Sequence, residues 1–155
     1  MSTDYALMKK MTWKRASLVG FITASLCLVW LFYRKAIIGT GPVTIGIQVA
    51  AVALMAWARV TFGRRSFHAT ANPTAGGLVT DGPYRYLRHP IYSAALYLLW
   101  AGIAVHLSIP NVLLALVATA GLAVRMLAEE TLIVAKYPEY ADYARRTRRV
   151  VPFVF

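Results

Sequence analysis

The sequence predicts an all-α, polytopic membrane protein of about four transmembrane helices, with a C-terminal helical hairpin and a pocket at the cytoplasmic end. Three observations carry that expectation. Of the 155 residues, 59% are hydrophobic and only 15% are charged, whereas a soluble domain carries about a quarter charged residues. The apolar residues fall in long runs, and a hydrocarbon core about 30 Å thick takes roughly 20 helical residues to cross. The basic residues, 17 Lys and Arg against 6 Asp and Glu, gather at the ends of those runs.

The elements follow in order. Residues 16–33 form a first apolar span, entered after Lys9, Lys10, Lys14 and Arg15 and left at Arg34-Lys35. It has no small-residue cleavage site after a short apolar core, so it reads as a retained span rather than a signal peptide. Gly39-Thr40-Gly41-Pro42 is a turn, and residues 43–62 form a second span that leaves through Arg59, Arg64 and Arg65. A polar stretch from Ser66 to His89 follows. It is too polar to span and too long for an idle connection, and such loops are usually functional or disordered. Residues 91–107 and 112–128 form two further spans joined by the tight turn Ser108-Ile109-Pro110-Asn111. The tail from Glu129 is mixed: Tyr137-Pro138 interrupts it, and Glu139 to Arg149 is expected to form a short amphipathic surface helix. One domain over residues 1–155 accommodates all of this.

Orientation follows from the basic residues, because cytoplasmic loops collect Lys and Arg. The N-terminus, the loop with Arg64, Arg65, Arg85 and Arg88, and the tail with Lys136, Arg145, Arg146, Arg148 and Arg149 lie on one side of a four-span arrangement. The other side has Arg34, Lys35 and His106. Both termini are therefore expected in the cytoplasm, in an inner or plasma membrane, with loop and tail on the same face. The same distribution argues against nucleic acid as the partner, since topology and anionic lipid account for the charge. One cysteine, Cys27, excludes a disulfide within the chain, and no Cys/His cluster has metal-ligand spacing. Nothing in the sequence sets an oligomeric state, although Gly102 and Gly121 permit close helix contacts.

Three segments carry the chemistry. Asp81-Gly82-Pro83-Tyr84-Arg85-Tyr86-Leu87-Arg88-His89-Pro90-Ile91-Tyr92 joins turn residues to a helix start at Pro90, where proline loses no intrahelical bond. Backbone N–H groups at such a start can receive an anion such as a carboxylate. An aromatic and basic interfacial belt is the competing reading. Next, Arg125 and Glu129 lie one turn apart on one helix face, with Glu130 beside them. Carboxylates oppose the dipole of a helix C-terminus and are costly near hydrocarbon unless paired. The ordinary reading is a surface pair worth a few tenths of a kcal/mol. The functional reading is a carboxylate for a cationic or hydroxyl-rich ligand beside an arginine for an anionic one. Last, Tyr137-Pro138-Glu139-Tyr140-Ala141-Asp142-Tyr143 and the basic run after it suit either a lipid-surface helix or a cover over a site.

In this order the segments resemble the isoprenylcysteine carboxyl methyltransferase family and its wider group of small membrane methyltransferases, which includes phospholipid methyltransferases. The matching residues are Gly82-Pro83-Tyr84, Arg88-His89-Pro90-Ile91-Tyr92, the helical hairpin, Glu129-Glu130 and Tyr137-Pro138-Glu139-Tyr140, and the likeness runs from about Gly76 to Phe155. Pro138 stands where many relatives have glycine. The resemblance implies S-adenosylmethionine bound between the loop, about residues 76–92, and the tail, 129–155. By position the cofactor would meet Gly77, Leu78 and Val79 through the backbone, and Tyr84, Arg88, His89, Pro90, Tyr92 and Glu129. It also implies catalytic roles for Arg125 and Glu130, with Arg125 towards the acceptor.

The expected function is thus transfer of a methyl group from S-adenosylmethionine to a lipophilic acceptor, the carboxylate of an isoprenylcysteine-like molecule or another isoprenoid or lipid, at the cytoplasmic face. A carboxylate acceptor needs no general base; an amine or hydroxyl acceptor would use His89 or Glu130. Two alternatives stand beside it: a sterol-reductase-like membrane oxidoreductase with a nicotinamide cofactor, and a non-catalytic adaptor whose basic rim holds membrane lipid.

Overall fold

The computed structural model describes residues 2–63 and 77–151. Helix α1 spans Ser2–Tyr33, α2 Pro42–Phe62, α3 Pro90–Val105, α4 Ile109–Val134 and α5 Tyr140–Arg146, with a 3₁₀ turn at Gly82–Arg85 ahead of α3. Arg64, Arg65 and Gly76 lie outside the described residues.

The boundaries follow local chemistry. No glycine or proline occurs before Gly20, so α1 begins well ahead of the expected residue 16. Pro42 opens α2 after Gly41 (φ 87°), and Gly63 (φ 62°) closes it. The Ser108 side chain accepts the Asn111 N–H to cap α4, which then runs on past residue 128. Glu129 and Glu130 therefore sit inside a helix, not at the head of the tail. The expected surface helix over 139–149 shrinks to the seven residues of α5; beyond Arg146 the chain becomes an extended strap.

Among the described residues, three helices are long and apolar enough to cross a membrane: Met11–Tyr33, Pro42–Phe62 and Ile109–Val134. The expected fourth span, α3, is a shorter apolar helix. Helix α3 has 16 residues, about 24 Å of rise against a core of about 30 Å. It stops at Val105 because the His106 N–H turns back to the carbonyls of Gly102 and Ile103 while its imidazole approaches the Ile38 carbonyl at 2.9 Å.

Helices α3 and α4 follow one another as the expected hairpin, yet each packs mainly on a helix of the first half: α4 along α1, and α3 along α2. Small residues decide the first pairing. A Cβ on Gly20 would lie 2.5 Å from the Gly121 carbonyl oxygen, and one on Gly121 2.6 Å from that of Gly20. The backbones thus touch in a small-residue crossing, with Ala24, Cys27, Ala115 and Ala118 buried beside it. A Cβ on Gly102 would overlap the Ile37 carbonyl. Both glycines serve contacts within the chain.

The two helix pairs are antiparallel. Arg34 meets Asn111 at one end of α1 and α4, and Phe21 meets Arg125 towards the other. The start of α1, the loop before α3 and the tail consequently share one end of the bundle. At the distal end, Arg34 Nε donates to Asn111 Oδ1 (2.8 Å), Asn111 Nδ2 to the His106 carbonyl (2.8 Å), and Gln48 Nε2 to the carbonyls of Ile37 (2.6 Å) and Leu98 (3.1 Å).

Candidate functional site

The site is built on the connection into α3. Gly82 turns the chain with φ 56°, and a Cβ there would lie 2.6 Å from Thr61 Oγ1 and 3.1 Å from Trp57 Nε1 of α2. The loop is thereby seated on the end of α2, and Tyr84 packs its ring on Phe62 at 5.3 Å between centroids. Burial pushes the Tyr84 phenol well above its ordinary value.

The tail strap then crosses this connection. Leu87 and Arg148 form a parallel bridge. The Arg88 N–H donates to the Arg148 carbonyl (2.7 Å), the His89 N–H to that of Arg149 (3.2 Å), and the Arg148 N–H to that of Tyr86 (3.0 Å). Tyr143, whose phenol burial also pushes up, donates its hydroxyl to the Tyr84 carbonyl at 2.7 Å. Tyr97 of α3 donates to the Val150 carbonyl at 2.6 Å. The N–H groups of Arg88 and His89, just ahead of α3, are therefore taken by the protein's own tail.

His89 sits at that start, 6% exposed, its carbonyl accepting from the Ser93 N–H and hydroxyl. Its ring lies between two carboxylates of α4: Nε2 is 3.2 Å from Glu130 Oε1 and Nδ1 is 3.8 Å from Glu129 Oε2. Of the two ring nitrogens, Nε2 is thus the closer to a carboxylate. On the other side of Glu129, the Tyr92 hydroxyl donates to Oε1 at 2.6 Å. Arg125 Nε reaches the same hydroxyl at 2.5 Å and the same carboxylate oxygen at 3.1 Å. Arg125 is 4% exposed, so this is a buried pair and not the weak surface bridge that sequence spacing alone allows.

Glu130 has a different environment. Arg149 of the strap donates to it through Nε (3.2 Å to each oxygen) and Nη2 (3.0 Å), and the bond pushes the Arg149 guanidinium up from its ordinary value. Arg88 Nε lies 3.4 Å away, within ion-pair range but without hydrogen-bond alignment. With two guanidiniums and an imidazole around it, Glu130 is a clamp that fixes the His89 ring. That geometry disfavours it as a proton acceptor.

His89, Tyr92, Arg125, Glu129 and Glu130 are thus brought together, with Arg88 and Pro90 adjoining. Tyr84 stands to one side, linked through the strap. Gly77, Leu78 and Val79 lie in irregular chain ahead of Asp81, and no hydrogen bond among the described residues joins them to the cluster. Two participants were not anticipated. Phe21 of α1 lies under the Arg125 guanidinium, 4.6 Å from carbon to ring centroid; in the sequence it is one more apolar residue in a span. Arg149 is one of several arginines in a basic run, and only the strap's path separates it from Arg145, Arg146 and Arg148.

Beside the cluster, a cleft of about 520 Å³ runs along the seam of loop and tail, lined by Thr80, Asp81, Arg85, Tyr143, Arg146 and Thr147. Its lining includes none of His89, Tyr92, Arg125, Glu129 and Glu130, although Tyr143 hydrogen-bonds the Tyr84 carbonyl of the loop.

The family model for phospholipid methyltransferase matches residues 35–140, a stretch that contains the His89 connection and the whole of α4. This family includes the isoprenylcysteine-methyltransferase-like membrane enzymes that the motifs resemble. No curated protein and no solved structure matches the sequence at a significant level. The chain belongs to the phospholipid methyltransferase family.

Proposed function

We propose that the protein uses S-adenosylmethionine to methylate a lipophilic acceptor at the cytoplasmic face of a membrane. The observation that carries this reading is the convergence of His89 and Tyr92 from the α3 start with Arg125, Glu129 and Glu130 of α4 in one buried polar cluster. Intramembrane ionisable residues held in such a cluster are functional candidates by default.

The residues fit the cofactor. Among the described residues, Glu129 Oε1 is engaged by Tyr92 and Arg125, while Oε2 has the long 3.8 Å approach to His89. That oxygen has capacity left for an ammonium or ribose hydroxyl. The Tyr92 ring, 5.6 Å from that of His89, offers an aromatic face to a cation. By their place in the motifs, Arg88, Pro90, Tyr84 and the backbone from Gly77 to Val79 are assigned to the same cofactor.

When bound, S-adenosylmethionine supplies an electrophilic methyl group on a sulfonium that becomes neutral as the methyl leaves. The protein's share is positioning and exclusion of water. Arg125 orients the acceptor without neutralising it fully, because its charge is already shared with Glu129. For a carboxylate acceptor no proton moves. For an amine or hydroxyl, His89 takes the proton while Glu130 holds its ring. The acceptor enters laterally from the bilayer, and the cofactor enters from the side where Lys14, Arg15, Arg85 and the strap arginines gather, the cytoplasmic side by the positive-inside rule.

Calorimetry of the detergent-purified protein tests the reading: S-adenosylhomocysteine binds, and His89→Ala weakens it. No binding by the unaltered protein, or binding of a nicotinamide cofactor in its place, would reject it. Incubation of membranes with labelled S-adenosylmethionine then identifies the acceptor from the labelled product.

A further inference from the structure

The cleft at the seam of loop and tail lies outside the polar cluster, and nothing in the methyl-transfer reading uses it. Its walls come from two distant segments: Thr80, Asp81 and Arg85 ahead of α3, and Tyr143, Arg146 and Thr147 at the end of α5. Two of these side chains are fixed. The buried Tyr143 hydroxyl donates to the Tyr84 carbonyl, and the buried Thr147 hydroxyl to the Tyr143 carbonyl. Both donors are spent on the fold. The groups left to meet a ligand are two guanidiniums, the Thr80 hydroxyl and the Asp81 carboxylate.

The protein does not cancel the charge of this cleft. Among the described residues, Arg85 makes no ion pair, and Arg146 donates from Nε to the Asp142 carbonyl at 3.3 Å. The Asp142 carboxylate is paired with Arg145, which does not line the cleft. Asp81 forms an ion pair with neither arginine. Two guanidiniums against one carboxylate leave the lining net positive. A guanidinium presents its N–H groups as a planar fork that matches phosphate oxygens. Two such forks from opposite walls, with a hydroxyl beside them, suit a tetrahedral oxyanion whose oxygens point in several directions. The volume of about 520 Å³ leaves room for the ester that carries it. The cleft also belongs to the bundle end where basic residues gather, beside Tyr86, which is 50% exposed. Tyrosines and basic residues of this kind mark the headgroup layer of a bilayer.

We propose that this cleft is a phosphate-binding site separate from the methyl-transfer cluster, in which Arg85 and Arg146 hold one phosphate group across the seam and so fasten α5 to the loop. A phospholipid headgroup and a soluble phosphate share this chemistry. The proposal goes beyond the methyltransferase reading and does not depend on it.

The detergent-purified full-length protein is titrated by calorimetry with inorganic phosphate in one arm and short-chain phosphatidylglycerol in the other, at ionic strength matched with chloride. Binding is expected in at least one arm, and the tighter arm names the source. Arg85→Gln and Arg146→Gln each weaken that binding about tenfold or more. Asp81→Asn removes the opposing charge and strengthens it about two- to fivefold, a gain that a damaged fold cannot produce. Arg145→Gln, outside the lining, changes it by less than about twofold. The ligand raises the melting temperature of the unaltered protein and of Arg145→Gln, and the rise is lost in Arg85→Gln. Absence of binding in both arms overturns the proposal. So does an equal loss in Arg145→Gln and Arg85→Gln, which marks a diffuse basic surface, or unchanged binding in Asp81→Asn. Displacement of the ligand by S-adenosylhomocysteine overturns it too, because the cleft would then be part of the cofactor site.

Discussion

The two ends of the bundle are both polar, and they spend their polar groups differently. At the distal end, Asn111, Gln48 and His106 are turned onto main-chain carbonyls of His106, Ile37, Leu98 and Ile38. Three of those carbonyls, of Ile37, Ile38 and His106, belong to a turn or a helix end, where backbone groups lack intrahelical partners. At the other end, the side chains of His89, Tyr92, Arg125, Glu129, Glu130 and Arg149 are turned onto one another. There the strap pairs with the backbone N–H groups of Arg88 and His89. A polar cluster that closes backbone valences holds a fold together. One that pairs ionisable side chains with one another costs desolvation, and is the place to look for chemistry.

Substitutions can break this contrast. The largest effect is expected from Glu129→Ala, which strips Arg125 and Tyr92 of a buried partner and lowers S-adenosylhomocysteine affinity about 30-fold or more, measured by calorimetry. Arg149→Met releases the clamp on Glu130. It should slow methyl transfer about tenfold with a smaller change in cofactor affinity, and cost about 1 to 3 kcal/mol of stability. Asn111→Leu at the distal end should cost a similar 1 to 3 kcal/mol, seen as a lower melting temperature, with cofactor affinity unchanged. A collapse of affinity in that variant would mean the two ends are coupled and the contrast is false. The smallest effect belongs to Arg145→Gln. Its ion pair with Asp142 is exposed on both sides, so stability should move by less than about 0.5 kcal/mol.

The spacing of Arg125 and Glu129 announced a helix pair, and the structure adds what spacing cannot hold. The Tyr92 hydroxyl inserts between them from another helix, 33 positions away in sequence. The apolar run before His106 suggested a full span. A histidine turned back on the helix and onto the Ile38 carbonyl shortens it, and nothing in local hydropathy records such a contact. Gly121 could be read as permitting a close helix contact, but its partner Gly20 is ordinary in sequence, and the two backbones meet once α4 is laid on α1.

What the sequence determined alone were the apolar helices, their breaks at Gly41-Pro42, Pro90 and Ser108, and the residues of the motifs. These depend on neighbours within a turn or on hydropathy summed along a segment. Tertiary structure decided the rest: that α4 pairs with α1, that the strap occupies backbone donors ahead of α3, and that Phe21 and Arg149 join the cluster. Those are contacts between distant segments, set by which small side chains let two backbones meet.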